Sequence, residues 1–465
     1  MGLVSLVQSC WALSYAALSV AGLLLTGVAI TGVPAKNRKV AIVLTLLSNH
    51  MSELPWTVVL MNLAFSMWLS ITGTTRASAL VRFFNFVNFI TAAGLAYLFK
   101  RSIDSKEAVD AFLEQLSKES KTRVELPGPN SPRFWSQFLN PIHWTRNYTL
   151  YESIPYWVST EMFPILRSEG KEAVQLMTLD VYKPNKVHAG DHRPVFVYIH
   201  GGGWTSGSKK WTGPILTELL SREWVVVSVD YRLAPTSKYP AQLIDCKRAL
   251  RWIKDEIQIF GGNPEQIVVG GDSSGGNLAA LLALTPNLLE FQPGFESVDT
   301  TVQGCVPQSA PLDLTDVMNY SQYDARTRFI KEVAQREGSA KSADNLKFLT
   351  EHSPLFRIKE SAVPFLVVHG DHDSFTPVEG ARDFVHEFKK KSPSSTINYL
   401  EVPGGHHGFH AFPSPRSWFT VIAIAEWLSF HFDRHGPGKQ AAAEGETKPK
   451  IPAHELVEWG WSKED

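Results

Sequence analysis

Short apolar runs alternate with longer helical stretches over residues 172–432, and this alternation limits the fold more than any other feature. The runs that predict strands lie at 195–199, 224–229, 266–269, 302–306, 365–368 and 396–402. Helices are predicted at 214–222, 241–259, 275–284, 378–391 and 418–432. Continuous apolar strands that alternate with helices indicate a mostly parallel, doubly wound sheet with helices on both faces. We therefore predict an α/β domain over residues 171–435.

Residues 1–101 form an apolar front with a different composition. No charged residue precedes Lys36, and uncharged runs cover 12–33, 54–75 and 83–99. About 20 apolar residues in a helix cross a hydrocarbon core of roughly 30 Å. A signal peptide carries its positive charge before the apolar run, whereas here the basic cluster at 36–39 follows it. We predict a multi-pass membrane anchor of about three helices, with residues 40–51 extending the second helix and Glu53 and Pro55 as a break.

The charge distribution excludes one class of partner and suggests an orientation. The whole chain has 45 basic and 46 acidic residues, so it lacks the basic excess of a nucleic-acid binder. With three spans, five basic residues of the front lie on one side of the membrane, while Arg76 and Arg82 lie on the other. Since the more basic side usually faces the cytoplasm, the α/β domain is expected there.

Two further segments and the C-terminal tail have their own patterns. Residues 102–170 predict a linker with an amphipathic helix over 102–122, and nine of the 30 residues in 134–163 are aromatic. That aromatic segment either packs against the next domain or contributes to a cap. A polar insertion at 315–360 is expected to cover the carboxyl edge of the sheet. Residues 436–465 are small and charged and predict a disordered tail.

Residues 271–275 read Gly-Asp-Ser-Ser-Gly, which is G-x-S-x-G between a predicted strand and a predicted helix. A sharp strand-to-helix turn exposes the serine. It needs small neighbours because the backbone is strained and other chains approach closely. This context predicts Ser273 as a nucleophile.

A glycine-rich loop follows the strand predicted at 195–199 and reads His200-Gly201-Gly202-Gly203-Trp204. Without side chains, these glycines can direct backbone N–H groups into a site. Together with the N–H of Ser274, the residue after the nucleophile, such groups stabilise a tetrahedral oxyanion.

A nucleophilic serine needs a histidine base and an acid that orients the base. In this kind of fold the chain order is serine, acid, histidine. The loop after the strand at 365–368 carries Asp371 and Asp373, and the loop after 396–402 carries His406 and His407. Both loops leave the carboxyl ends of strands, where open α/β sheets bind ligands. The residues alone leave the choice open within each pair.

The same two loops suggest a competing metal site. They are rich in imidazole and carboxylate groups, which suit zinc or manganese. However, no H-E-x-x-H or similar spacing occurs, and a metal would leave both the glycine loop and the serine turn unexplained. We therefore predict no metal.

Together these motifs resemble the α/β-hydrolase superfamily, and in particular its hormone-sensitive-lipase-like and acetyl-esterase branch. The resemblance covers about residues 172–432 and includes Asp-Tyr-Arg-Leu-Ala-Pro at 230–235 and Tyr-Pro-Ala at 239–241. It implies an α/β-hydrolase fold with a cap insertion and carboxylic-ester hydrolysis without metal or organic cofactor. Residue by residue, it implies the following roles: Ser273 as nucleophile, Asp373 as acid, His407 as base, and Gly202, Gly203 and Ser274 as the oxyanion hole.

Two positions depart from the branch. Thr236 stands where a glutamate usually follows the proline at 235, and the acid loop reads Asp-Ser-Phe-Thr-Pro at 373–377 instead of D-P-L-x-D-E.

The expected function is a membrane-anchored esterase or lipase whose partners are an ester or lipid and the membrane. An amidase, formamidase or acyltransferase on the same triad is an alternative, as is a non-catalytic ligand-binding receptor. Since every site candidate follows residue 199, we expect residues 1–101 to be dispensable for chemistry.

Overall fold

The computed structural model describes residues 3–33, 38–120, 126, 147–159, 175–320 and 324–432. The tail predicted at 436–465 lies outside these residues, and so does the aromatic segment 134–163 except for its part within 147–159.

The centre of the protein is an eight-stranded sheet in the order β1-β2-β4-β3-β5-β6-β7-β8. Its strands are β1 (Tyr148–Ser159), β2 (Gln175–Pro184), β3 (Arg193–Ile199), β4 (Val225–Val229), β5 (Gly262–Asp272), β6 (Gly304–Gln308), β7 (Phe365–Gly370) and β8 (Ile397–Val402). β2 is antiparallel to both neighbours, whereas all other pairs are parallel. The predicted mostly parallel α/β fold is therefore confirmed.

Among the described residues, five α-helices precede the sheet and eight more surround it. The first group is α1 (Leu3–Thr31), α2 (Arg38–Glu53), α3 (Pro55–Ile71), α4 (Thr74–Ala77) and α5 (Ala79–Ser120). The second group is α6 (Ile215–Ser221), α7 (Ala241–Glu256), α8 (Ser274–Leu284), α9 (Ala325–Arg328), α10 (Ala343–Glu351), α11 (Pro354–Arg357), α12 (Val378–Lys391) and α13 (Pro415–Phe432).

Helices α1, α3 and α5 pack together at the front of the chain. At one end, Trp11 near the start of α1 lies 4.6 Å from Trp68 near the end of α3, measured between ring centroids. At the other end, Ala29 of α1 clusters with Met51 of α2 and Leu95 of α5. α1 therefore runs antiparallel to α3. It runs parallel to α5, because Tyr15 of α1 bonds to Asn85 near the start of α5, whereas Ala29 near the end of α1 clusters with Leu95 further along α5.

By length and composition, two helices of the described chain are candidates to cross a membrane: α1 and α5. α2 and α3 meet that criterion only as a pair, and they are bent by 87° at the break between them. α2 therefore turns away from the direction of α3. The break lies at residue 54, between Glu53 and Pro55.

Helix α5 continues from the front into the α/β domain. Its second half carries an apolar stripe at Val109, Phe112, Leu113 and Leu116, with the spacing of one helix face. This stripe is buried with α6 and α13 against one face of the sheet. Residue 101, where the sequence predicts the end of the anchor, thus falls inside a single helix.

A buried ion pair joins α2 to the start of α13. The carboxylate of Glu53 and the guanidinium of Arg416 contact each other directly, and both side chains are at most 1% exposed. Ser414 donates to Glu53 Oε2 at 2.5 Å, and Arg416 Nε donates to Pro403 O at 3.0 Å. The pair therefore connects a front helix to the loop that follows β8.

Arg416→Met should destabilise the protein by about 3–5 kcal/mol, because it leaves the Glu53 carboxylate buried without a counter-charge. The double variant Glu53→Gln/Arg416→Met should lose less, since no unpaired charge remains. Arg382→Met is the control, because its ion pair with Glu401 is 49% and 31% exposed. Exposed pairs of this kind are worth about 0–1 kcal/mol. Unfolding in detergent measures all three, and equal stability of the two single variants would contradict the role of the buried pair.

Candidate active site

Ser273 lies at the turn between β5 and α8 with φ 52° and ψ −122°. This backbone conformation is strained for a residue with a Cβ atom. The turn is tight, because a Cβ on Gly271 or on Gly275 would lie within 2.2 Å of the carbonyl oxygen of Ile199. The glycines on both sides therefore allow β3 to approach closely, and the strain keeps the Ser273 hydroxyl at the sheet edge.

The structure brings Ser273, His407 and Asp373 together. Ser273 Oγ is 2.9 Å from His407 Nε2, and His407 Nδ1 is 2.7 Å from Asp373 Oδ2. The other oxygen of Asp373 accepts hydrogen bonds from the N–H groups of Phe375 and Thr376, each at 2.9 Å. A carboxylate held in this way fixes the imidazole tautomer that has its proton on Nδ1 and a free lone pair on Nε2.

The two alternative residues point elsewhere. Asp371 accepts a hydrogen bond from the Gly404 N–H at 2.6 Å and lies 2.7 Å from His372 Nδ1. His406 Nε2 donates to the carbonyl oxygen of Ala29 in α1 at 3.0 Å. Asp371 and His406 thus support the loop that carries His407 without facing Ser273.

Burial and charge act in opposite directions on the paired groups. Burial raises the pKa of Asp373, but the charge of His407 and the hydrogen bonds from His369 and His407 outweigh it and hold that pKa well below its usual range. Burial lowers the pKa of His407, whereas the Asp373 carboxylate raises it above its ordinary value. Burial lowers the pKa of His406 to about 4, so this imidazole is neutral near pH 7.

The glycine loop lies beside the serine with positive φ values at Gly202 (120°) and Gly203 (63°). In the part of the chain that the structure describes, the N–H groups of these two glycines donate to no acceptor. Ser274 is the first residue of α8, where N–H groups lack intrahelical partners. All three candidate donors are thus at one edge of the sheet.

Two residues that the sequence analysis did not identify hold the glycine loop. Asp272 Oδ1 accepts hydrogen bonds from the Gly201 N–H at 3.0 Å and the Tyr198 hydroxyl at 2.7 Å. Arg328 Nη2, from the insertion between β6 and β7, donates to Gly203 O at 3.0 Å. Asp272 could have been found, because it is the variable residue before the serine in the G-x-S-x-G pattern. By contrast, nothing in the sequence around Arg328 indicates that this residue reaches the glycine loop.

Thr376 is a third residue that the sequence analysis missed, and it accounts for part of the unusual acid loop. Its Oγ1 lies 2.8 Å from Asp373 Oδ2 and 2.9 Å from the carbonyl oxygen of Ser309. A threonine three residues after an aspartate is a common spacing for such local hydrogen bonds. Thr376 therefore joins the acid to the neighbouring strand end.

A cavity of about 540 Å³ opens above these groups. Ser273, His407 and the glycine loop line its floor. One wall is lined by Leu314 and by Phe329, which belongs to the predicted cap insertion. Another wall comes from α2 through Ile42, Thr45, Leu46 and Asn49. Asn49 Nδ2 also donates to the backbone oxygen of His407 at 2.7 Å. Residues 1–101 were expected to be dispensable for chemistry, and nothing in the α2 sequence indicated this contact.

The competing metal site has no geometric counterpart in the described ranges. Among those residues, no three or more His, Cys, Asp or Glu side chains are grouped as a metal ion would require.

Comparisons with known proteins point to one superfamily. Residues 179–388 match the family model BD-FAE. The chain is 35% identical over 252 residues to the probable carboxylic ester hydrolase LipM of Mycobacterium tuberculosis, covering 54% of this chain and 57% of that protein. It is 35% identical over 263 residues to esterase LipC of the same organism, covering 56% of this chain and 63% of that protein. The chain thus spans somewhat less than two thirds of these relatives.

Among solved structures, a thermophilic esterase from Thermogutta terrifontis is similar with a TM-score of 0.48 and 23% identity. The match covers 60% of this chain and 91% of that one. Together with the sheet order and the serine turn between β5 and α8, these sequence relatives indicate that the α/β domain has the α/β-hydrolase fold and is similar to carboxylic ester hydrolases.

Proposed function

We propose that this protein is a membrane-anchored serine hydrolase of carboxylic esters. The observation that carries the proposal is the hydrogen-bonded series Ser273–His407–Asp373, with distances of 2.9 and 2.7 Å. It lies beside the N–H groups of Gly202 and Gly203, which donate to no acceptor among the described residues. A base within reach of a nucleophile and an acid that orients the base are the arrangement that acyl transfer requires.

The proposed reaction has two halves. Ser273 Oγ attacks the ester carbonyl carbon while its proton passes to His407 Nε2, and the N–H groups of Gly202, Gly203 and Ser274 bind the resulting oxyanion. Collapse breaks the bond to the alcohol oxygen, which takes the proton from His407 and leaves an acyl-serine. A water molecule then attacks the acyl carbon and gives a proton to His407. Collapse breaks the bond to Ser273 Oγ, which takes that proton back from His407, so the carboxylic acid is released and both side chains are restored.

The proposed anchor consists of α1, α3 and α5 as three crossings. The end of α1 reaches the α/β domain at His406 and the end of α2 reaches it at Arg416, whereas Trp11 and Trp68 lie at the opposite end of the helices. The N-terminus and the catalytic domain would then be on opposite sides of the membrane. Because the basic residues Lys100 and Arg101 lie on the domain side, we propose that the domain is cytoplasmic.

Ser273→Ala should reduce ester hydrolysis by about 10⁴- to 10⁶-fold, since one hydroxyl performs the attack. His407→Ala should be nearly as damaging, whereas His406→Ala should be much milder because His406 bonds to α1 and does not face the serine. Initial rates with a chromogenic ester measure all three, and unchanged unfolding temperatures control for misfolding. Retention of a tenth of the activity by Ser273→Ala would exclude the serine mechanism.

The pH dependence should report His407. Only the neutral imidazole can accept the serine proton, so kcat/KM should fall as the pH drops through the pKa of His407. Because Asp373 raises that pKa, the midpoint should lie above the ordinary value of about 6.5. Asp373→Asn should shift the midpoint to lower pH and cost about 10⁴-fold in kcat. Asp371→Asn should leave the midpoint in place, and the opposite result for the two variants would reassign the acid.

The membrane anchor predicts how the full-length protein fractionates. It should stay in the membrane pellet after extraction with alkaline carbonate, which removes proteins held by surface contacts, because apolar helices in hydrocarbon are not released. Protease added to sealed vesicles with their cytoplasmic face inside should leave the α/β domain intact. Recovery of the full-length protein in the carbonate supernatant would contradict the anchor, and digestion of the domain would reverse its orientation.

A further inference from the structure

The α2 wall of the cavity contains hydrogen-bonding atoms that nothing in the described chain satisfies. Thr45 Oγ1 and Asn49 Oδ1 are buried and have no hydrogen-bond partner among the described residues. The two side chains are 4% and 1% exposed, respectively, and both line the cavity above Ser273. An unpaired buried polar atom costs about 1–3 kcal/mol, so two of them on neighbouring residues that line one cavity point to a polar group of a ligand.

The position of Asn49 indicates which part of an ester lies there. Its Nδ2 donates to the backbone oxygen of His407, which fixes the orientation of the amide and leaves Oδ1 as an acceptor. His407 returns its proton to the departing alcohol oxygen, so the alcohol portion of the substrate lies on the His407 side of the serine. α2 is therefore next to the alcohol portion of the substrate. Because Asn49 Oδ1 is a hydrogen-bond acceptor, the matching group on the alcohol is a hydrogen-bond donor.

The mouth of the cavity is apolar and exposed. Leu46 of α2 and Trp211, which both line the cavity, are each 59% exposed. Val317 and Met318 of the cap insertion are also exposed, and their neighbours Asp316 and Tyr320 line the cavity. Exposed apolar side chains concentrated at one opening mark a surface that contacts lipid or another apolar partner. Since α2 is joined to the anchor helices, lipid is the partner that this geometry favours.

We infer that α2 forms the binding site for the alcohol portion of the substrate, and that this substrate is a lipid ester whose alcohol keeps a free hydroxyl group. That hydroxyl donates to Asn49 Oδ1 and accepts from Thr45 Oγ1, while the apolar chain reaches the serine from the lipid side. This inference rests on the proposed ester hydrolysis and adds a substrate class and two specificity residues to it.

The test compares two esters with the full-length protein in detergent micelles. 2-Hydroxyethyl dodecanoate and propyl dodecanoate have the same acyl chain and differ only in a terminal hydroxyl that replaces a methyl group. The wild type should favour the hydroxyl ester in kcat/KM by about tenfold, the effect of one or two satisfied hydrogen bonds. In Asn49→Leu and in Thr45→Val, this ratio should fall towards one.

The ratio separates recognition from general damage, because loss of the hydrogen bond to His407 in Asn49→Leu would slow both esters equally. Ser48→Ala is the matched control: Ser48 is buried on the same helix with an unpaired hydroxyl, but it does not line the cavity. Its ratio should equal that of the wild type.

Two results would overturn the inference, and they differ from failure of the proposed function. A wild-type ratio near one, or a ratio that neither Asn49→Leu nor Thr45→Val changes, would remove α2 from alcohol recognition while Ser273-dependent hydrolysis remained. If the wild type hydrolysed neither ester, and Ser273→Ala changed nothing with any ester, the proposed function itself would fail.

Discussion

Glu53 and Arg416 are two charges in a place from which water is excluded, and each is stable there only in the presence of the other. One belongs to the helical front and the other to the helix that follows β8, so the pair sets the position of α2 on the α/β-hydrolase domain. The loop that carries His407 lies between them. Arg416 bonds to Pro403 at the start of that loop, Ala29 of α1 accepts from His406, and Asn49 of α2 donates to the backbone of His407. The front is thus part of the support for the proposed base, and truncation at residue 101 would remove it.

The other side of the site depends on strain and close approach within the sheet. Ser273 keeps a positive φ because glycines on both sides let β3 pass within contact distance, and the Asp272 carboxylate holds the neighbouring glycine loop. Burial would favour neutral forms of Asp373 and His407, yet their mutual attraction keeps the carboxylate charged and makes the imidazole more basic. A more basic imidazole accepts the serine proton more readily, at the cost of activity at acid pH.

The strands and helices from β3 to α13 could be predicted because buried parallel strands are continuous apolar runs. β1 and β2 were missed, since polar residues interrupt the apolar pattern of both strands and β1 contains Pro155. Ser273 and the glycine loop were identified from motifs, and the candidate acid and base loops from the chain order. The choice of Asp373 over Asp371 came only from a family resemblance, because both residues lie on one loop. The contributions of Asn49, Thr45 and Arg328 depend on long-range packing and have no local signal.

The claim that the front and the hydrolase domain form one site can be measured by cross-linking. An alkyl fluorophosphonate with a diazirine in its O-alkyl chain would react with the nucleophile and then, on irradiation, with the nearest side chains. Peptide mapping of the full-length protein should find the phosphonate on Ser273 and light-dependent links to residues 42–49 of α2. A phosphonate on Ser273 with links only to the α/β domain would show that α2 does not border the reacting group, and labelling of a different residue would contradict the assigned nucleophile.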